Sequence, residues 1–118
     1  MRRLPLPLML ALTISATTVA AHAADGAKIF LLQCKTCHQA ASSAGGPSLV
    51  GVAGRRVASL GDYAYSSGLK AKDGVWNDAS LDAYLTSPAK FAPGTRMPAA
   101  LAAATDRAAV IAFLKTLK

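Results

Sequence analysis

The sequence predicts a small all-α domain of about four to five short helices. Three stretches carry apolar or small residues at helical spacing: Gly26/Phe30/Cys34/Cys37, Leu81/Tyr84/Leu85 and Val110/Phe113/Leu114/Leu117. No stretch alternates apolar and polar residues over the length a strand needs, and no segment repeats. The first and last stripes must each pack on something. Gly26 lacks a side chain, so the N- and C-terminal helices are expected to cross there, with Phe113 and Leu114 each contributing about 1.5–3 kcal/mol by burial.

Residues 1–23 are expected to be a leader that is removed. Arg2 and Arg3 form a positive start, Leu4 to about Ala20 is apolar, and Ala21-His22-Ala23 is a small-residue cleavage motif. A retained membrane anchor is the competing reading. The run is short and interrupted by Pro5 and Pro7, which favours cleavage before Ala24. Residues 24–118 then form one domain. A chain this short buries only about 60–65% of its unfolded surface, so a covalent cofactor at the centre would help it fold.

The full chain has 13 Lys and Arg against 6 acidic residues, all Asp, for a net +7; without Arg2 and Arg3 the balance is 11 to 6, a net +5. This moderately basic surface fits acidic redox partners. There is no aromatic-basic motif and no tight Lys/Arg run, which argues against a nucleic-acid ligand. No stable membrane insertion is expected after cleavage, and the protein is expected to be an exported, periplasmic monomer.

Asp25 is a suitable N-cap for a first helix starting near Gly26. That helix carries Cys34-Lys35-Thr36-Cys37-His38. Two thiols three positions apart share one helical face, and an imidazole follows directly. This is the attachment pattern for a c-type haem: two thioethers to one porphyrin, and His38 on its iron. A thioredoxin-like dithiol would want a preceding strand and a βαβ setting. A structural zinc site wants four ligands, and two Cys with one His supply three. These are the only two cysteines, and thioether bonds would protect them from oxidation outside the cytosol.

Residues 39–46 are rich in Ala, Ser and Gly and read as a loop. Pro47 follows Gly45-Gly46 in what is either a simple turn or the carbonyl acceptor for the far ring nitrogen of His38. Leu49 to Leu60, with Gly51 and Gly54, reads as irregular chain. A short helix is expected at Ser66–Ala71. Tyr63, Tyr65 and Trp76 are either core residues or partners of the cofactor. Asn77 or Asp78 caps the third helix and Pro88 ends it. Residues 91–98 form a loop stiffened by Pro93 and Pro98, and Thr105 is expected to cap the last helix, which ends with Lys115 and Lys118 at its negative pole.

The mature segment holds one histidine, His38, and one methionine, Met97, since His22, Met1 and Met9 lie in the leader. A second axial ligand from histidine is therefore excluded within one chain, and Met97 is left. Its thioether is soft and neutral, so it favours ferrous iron and raises the potential. Iron filled by two protein ligands suits electron transfer over catalysis.

On these residues the chain resembles the class I c-type cytochromes, and within them the mitochondrial cytochrome c and bacterial cytochrome c2 group. The resemblance runs through Cys34–His38, Gly46-Pro47-Ser48-Leu49, Gly54-Arg55, Tyr63-Ala64-Tyr65, Gly74-Val75-Trp76, Tyr84-Leu85, Pro93-Gly94-Thr95-Arg96-Met97 and the Val110/Phe113/Leu114 helix. It implies the small cytochrome c fold around one covalently bound haem c. It implies His38 and Met97 as axial ligands, Pro47 orienting His38, Arg55, Tyr65 and Trp76 at the propionates, and Tyr84 and Thr95 on the Met97 side. The function it implies is a soluble mono-haem protein carrying single electrons between membrane-bound or soluble redox proteins, and not an enzyme. The alternatives are a dedicated cytochrome subunit of a periplasmic redox enzyme, or a haem enzyme or sensor that opens a coordination position. The sequence departs from the group in a shorter loop before Pro47, in Ala99 where an aromatic usually stands, and in a thin set of basic residues, Lys28, Lys35, Lys90 and Arg96.

Overall fold

The computed structural model describes residues 2–4 and 16–118. Much of the expected leader, residue 1 and residues 5–15, lies outside the described residues. Five helices follow in order: α1 (Ala16–Gln33), α2 (Ser67–Lys70), α3 (Asp78–Thr86), α4 (Pro88–Phe91) and α5 (Ala104–Leu114). Among the described residues there are no strands, only isolated bridges at Ser43–Gly46 and Arg56–Val75.

The main packing is α1 against α5, and α3 also packs against α5. At Gly26 the two backbones meet. A Cβ there would overlap the Ala109 carbonyl and stand 3.0 Å from the Cβ of Phe113. One turn on, the rings of Phe30 and Phe113 lie 5.1 Å apart. Gly26→Ala should therefore force α1 off α5, costing about 1–3 kcal/mol despite the better helix propensity of alanine. Thermal unfolding of the haem-loaded protein checks this: a domain of this size loses roughly 4–8 °C per kcal/mol, and an unchanged or higher midpoint would contradict the close crossing.

Four local expectations need correction. Asp25 does not cap α1, because the alanine-rich segment 16–24 continues the helix upstream and leaves Asp25 inside it. The helix proper stops at Gln33, and Cys34–His38 form a separate hydrogen-bonded turn in which His38 N–H reaches the Cys34 carbonyl at 2.9 Å. Pro88 ends α3 but also starts α4 from its first position, where its missing N–H costs nothing. Thr105 lies inside α5, whose N-cap is Ala103 without a side-chain bond.

Elsewhere the local chemistry acts as expected. Asn77 caps α3 reciprocally with Ser80: the Ser80 N–H meets the Asn77 side chain at 2.8 Å, and the Asn77 N–H meets Ser80 Oγ at 2.9 Å. Ser66 caps α2. Lys115 closes α5 and pairs with Asp78 of α3 at 2.7 Å.

The buried core draws on Leu81 and Leu85 of α3, Val110, Ile111 and Leu114 of α5, and the loop residues Val52, Val57, Trp76, Ala92 and Leu101. With Leu69 of α2, five of its eleven members come from segments without regular structure.

Candidate haem site

The core encloses a cavity of about 390 Å³. All ten residues singled out in the sequence line it: Cys34, Cys37, His38, Pro47, Arg55, Tyr65, Trp76, Tyr84, Thr95 and Met97. Each arrives by a different route.

The turn after α1 delivers Cys34, Cys37 and His38. Gly46 packs tightly behind it: a Cβ there would sit 3.0 Å from the Cys37 carbonyl and 3.1 Å from the His38 ring. The chain can therefore bring the Pro47 carbonyl 2.9 Å from His38 Nδ1. A carbonyl only accepts, so Nδ1 carries the proton and Nε2 keeps its lone pair for a metal. Burial, and then the neighbouring Cys37, pushes the Cys34 thiol above its ordinary value. A thioredoxin-like dithiol would want a preceding strand, and there is none among the described residues.

The loop segment 54–57 pairs with 74–76. Gly54 N–H donates to the Trp76 carbonyl at 2.7 Å, Trp76 N–H to the Arg55 carbonyl at 2.9 Å, and Val57 N–H to the Gly74 carbonyl at 3.1 Å. This sets Arg55 and Trp76 on one wall. Arg55 spends its terminal nitrogens on the carbonyls of Ser48 (3.0 Å) and Val50 (3.1 Å). Its Nε is buried with no partner, the only such side-chain atom among the described residues. A buried charged donor without an acceptor is costly, and an anionic group in the cavity would satisfy it. Tyr65 accepts the Leu60 N–H at 3.3 Å and meets the Tyr63 ring edge-on at 5.0 Å. Trp76 packs on Tyr84 and Phe91, with ring centroids 5.3 and 5.6 Å away.

Tyr84 Oη and Thr95 Oγ1 lie 2.7 Å apart, and Met97 N–H reaches Thr95 Oγ1 at 3.4 Å. Burial raises the pKa of Tyr84, opposed by the Thr95 bond and reinforced by Tyr63. The phenol therefore stays neutral beside Met97 through and beyond physiological pH. Arg96, next in the chain, donates to the Ala64 carbonyl and lies over the Tyr63 ring, joining the two loops at the mouth.

Sequence reasoning missed part of the lining. Leu81, Leu85, Val110 and Leu114 were legible as buried stripes, yet they also face the cavity. Tyr63, read beside Tyr65 as an undecided aromatic, lines it too. Val52, Leu69 and Leu101 complete the wall from positions with no periodic signal.

The apolar walls, two thiols beside an oriented imidazole, a thioether in the same lining and an orphaned guanidinium nitrogen together fit a covalently attached haem with its acidic side chains. The fold and site are those of a helical haem-binding protein. Comparison with known proteins agrees. The family model for cytochrome c matches residues 23–118. Cytochrome c of Euglena viridis is 42% identical over 96 residues, covering 79% of this chain and 94% of the relative. A c-type cytochrome cy of Rhodobacter capsulatus is 41% identical over 106 residues, covering 88% of this chain, which spans only 53% of that protein. Among solved structures, cytochrome cH from Methylobacterium extorquens superposes with a TM-score of 0.74 at 36% identity, over 80% of this chain and 97% of that one.

The chain belongs to the cytochrome c family. Members of the family carry one covalently attached haem c and transfer single electrons to partner proteins.

Proposed function

We propose that the mature protein is an exported, freely diffusing mono-haem carrier whose iron is held by His38 and Met97. The observation that supports this most directly is that one cavity lining brings together Cys34, Cys37, His38 and Met97. His38 is committed to the Pro47 carbonyl through Nδ1, and Met97 stands in a loop tied through Thr95 to Tyr84. When bound, haem c supplies a one-electron iron couple. The residues do the rest. Cys34 and Cys37 would anchor it through thioethers, and His38 would offer Nε2 in a fixed orientation. Arg55 Nε, with Tyr65 and Trp76 nearby, would hold the propionate side. The apolar walls exclude water, which keeps the couple insulated and the two ligands undisplaced. With His38 and Met97 both holding the iron, the chain would leave no place for a substrate, which supports a carrier over an enzyme.

No helix among the described residues is long and apolar enough to cross a membrane. With residues 1–23 removed as a leader, Asp25 would fall in the first turn of α1, where a carboxylate is favourable. The exposed Lys28, Lys35, Lys90 and Arg96 would meet acidic surfaces on redox partners in the periplasm.

Visible spectra of the purified protein in both oxidation states test this reading. The ferric form should show the weak red absorption of sulfur-ligated haem and resist cyanide. A ferric protein that lacks that band and binds cyanide at once would be an open-site enzyme or sensor instead.

A further inference from the structure

The loop that carries Met97 is exposed at its centre, where Pro98, Ala99 and Ala100 all face solvent. Its two ends are held. The near end is tied by Thr95, whose N–H reaches the Ala92 carbonyl at 2.9 Å, and by Arg96 on the Ala64 carbonyl. The far end rests on Leu101, whose N–H meets the Leu85 carbonyl of α3 at 2.8 Å, and on one side chain from α5, Arg107. Arg107 Nε donates to Asp82 Oδ1 at 2.7 Å, while its Nη1 donates to the carbonyls of Leu101 at 3.0 Å and Ala102 at 2.8 Å. Only 13% of the Arg107 side chain is exposed, against 48% for Asp82. The guanidinium therefore bridges three elements: α5 that bears it, α3 through Asp82, and the last two residues of the Met97 loop that it touches.

We infer that Arg107 is a positioning residue for the axial methionine. It rests on the reading of Met97 as the second ligand and explains what keeps that ligand in place. A thioether is a weak ligand, displaced whenever its loop swings outward. Between Met97 and α5 the chain has few other restraints, so the rate of that swing depends on the far anchor. The planar fork suits this role, because it satisfies a carboxylate and two carbonyls from one rigid group. Lysine has one nitrogen centre and cannot span all three at these distances. Asp82 in turn fixes the fork: without it Arg107 keeps its bonds to the loop but loses its hold on α3.

The test uses the haem-loaded ferric protein and follows cyanide binding together with the red sulfur–iron band. Arg107→Met keeps most of the stem and removes the fork. It should raise the cyanide binding rate at least tenfold and weaken the band. Arg107→Lys should fall between it and the wild type, and Asp82→Asn should raise the rate less than Arg107→Met. Val57→Ala, a buried site that does not line the cavity, serves as the comparison for general loss of stability. If Arg107→Met, or Arg107→Lys where the former does not accumulate, binds cyanide no faster than Val57→Ala at a matched melting temperature, the inference is wrong while the ligand reading stands. If the wild type itself shows no sulfur–iron band, both are wrong.

Discussion

Met97→Ala should keep its haem and lose its high potential. The two properties separate because different parts of the chain carry them. Attachment depends on Cys34 and Cys37, on the turn after α1, which is separate in the chain from the Met97 loop. The loop does not need the thioether to hold its course: Thr95 remains bonded to Tyr84 at 2.7 Å, Arg96 to the Ala64 carbonyl, and Leu101 to Leu85. Alanine leaves a thioether-sized gap beside a neutral phenol, which water can enter. Oxygen is a harder donor than sulfur and favours ferric iron, so the potential should fall by more than about 0.1 V, a modest share of the roughly 0.8 V that axial ligands span. The red band should vanish, and cyanide should bind rapidly. A redox titration beside the wild type reads the shift, and an unchanged potential would remove Met97 from the iron.

The proposed poles of this site were the easiest part to name from the sequence because few residues could fill them. With residues 1–23 removed as proposed, one histidine and one methionine remain, and the spacing of Cys34, Cys37 and His38 is tied to the dimensions of a helical turn. The walls were less legible. Periodicity says that a helix face is buried but not what covers it. Leu81 and Leu85, or Val110 and Leu114, give the same stripe whether they meet another helix or a cofactor. Val52, Val57 and Leu101 are buried from irregular chain, where no period exists to reveal them. Arg55 stood out only through resemblance, whereas the structure gives it a physical signature: two nitrogens satisfied by carbonyls and a third buried without a partner. The capping errors have the same origin. Thr105 is a good capping residue, but the start of α5 is set by tertiary contacts, among them Arg107 gripping the residues just before it. Asp25 would cap a helix that began at Gly26, and the helical alanine-rich segment upstream removes the need.

Cys34→Ser combined with Cys37→Ser should abolish covalent haem, and with it most of the native fold. Serine oxygen does not form the thioether, so acid-acetone extraction should remove all haem from the double mutant and none from the wild type. The effect on folding follows from where the cofactor sits. The cavity of about 390 Å³ is bordered by four of the five helices and the loops between them: α1 and its turn, the 47–55 loop, α2, α3, the Met97 loop and α5. Keeping such a cavity open without its contents would cost on the order of 9 kcal/mol at about 24 cal/mol per Å³, comparable to the roughly 5–15 kcal/mol that stabilises a whole domain. Collapse is the cheaper course, but it would bury the Arg55 guanidinium with no anion to meet it and part the helices that cross at Gly26. The double mutant should therefore show far less helical circular dichroism than the wild type and no cooperative thermal transition. On the proposed ligation, non-covalent haem would still be held by His38 and Met97, so added haem should restore part of the helix signal in a concentration-dependent way, as linkage requires of a ligand that binds only the folded chain. Haem that survives extraction on the double mutant would contradict the attachment chemistry. A double mutant that is cooperatively folded without haem would show instead that the helices hold the cavity open unaided.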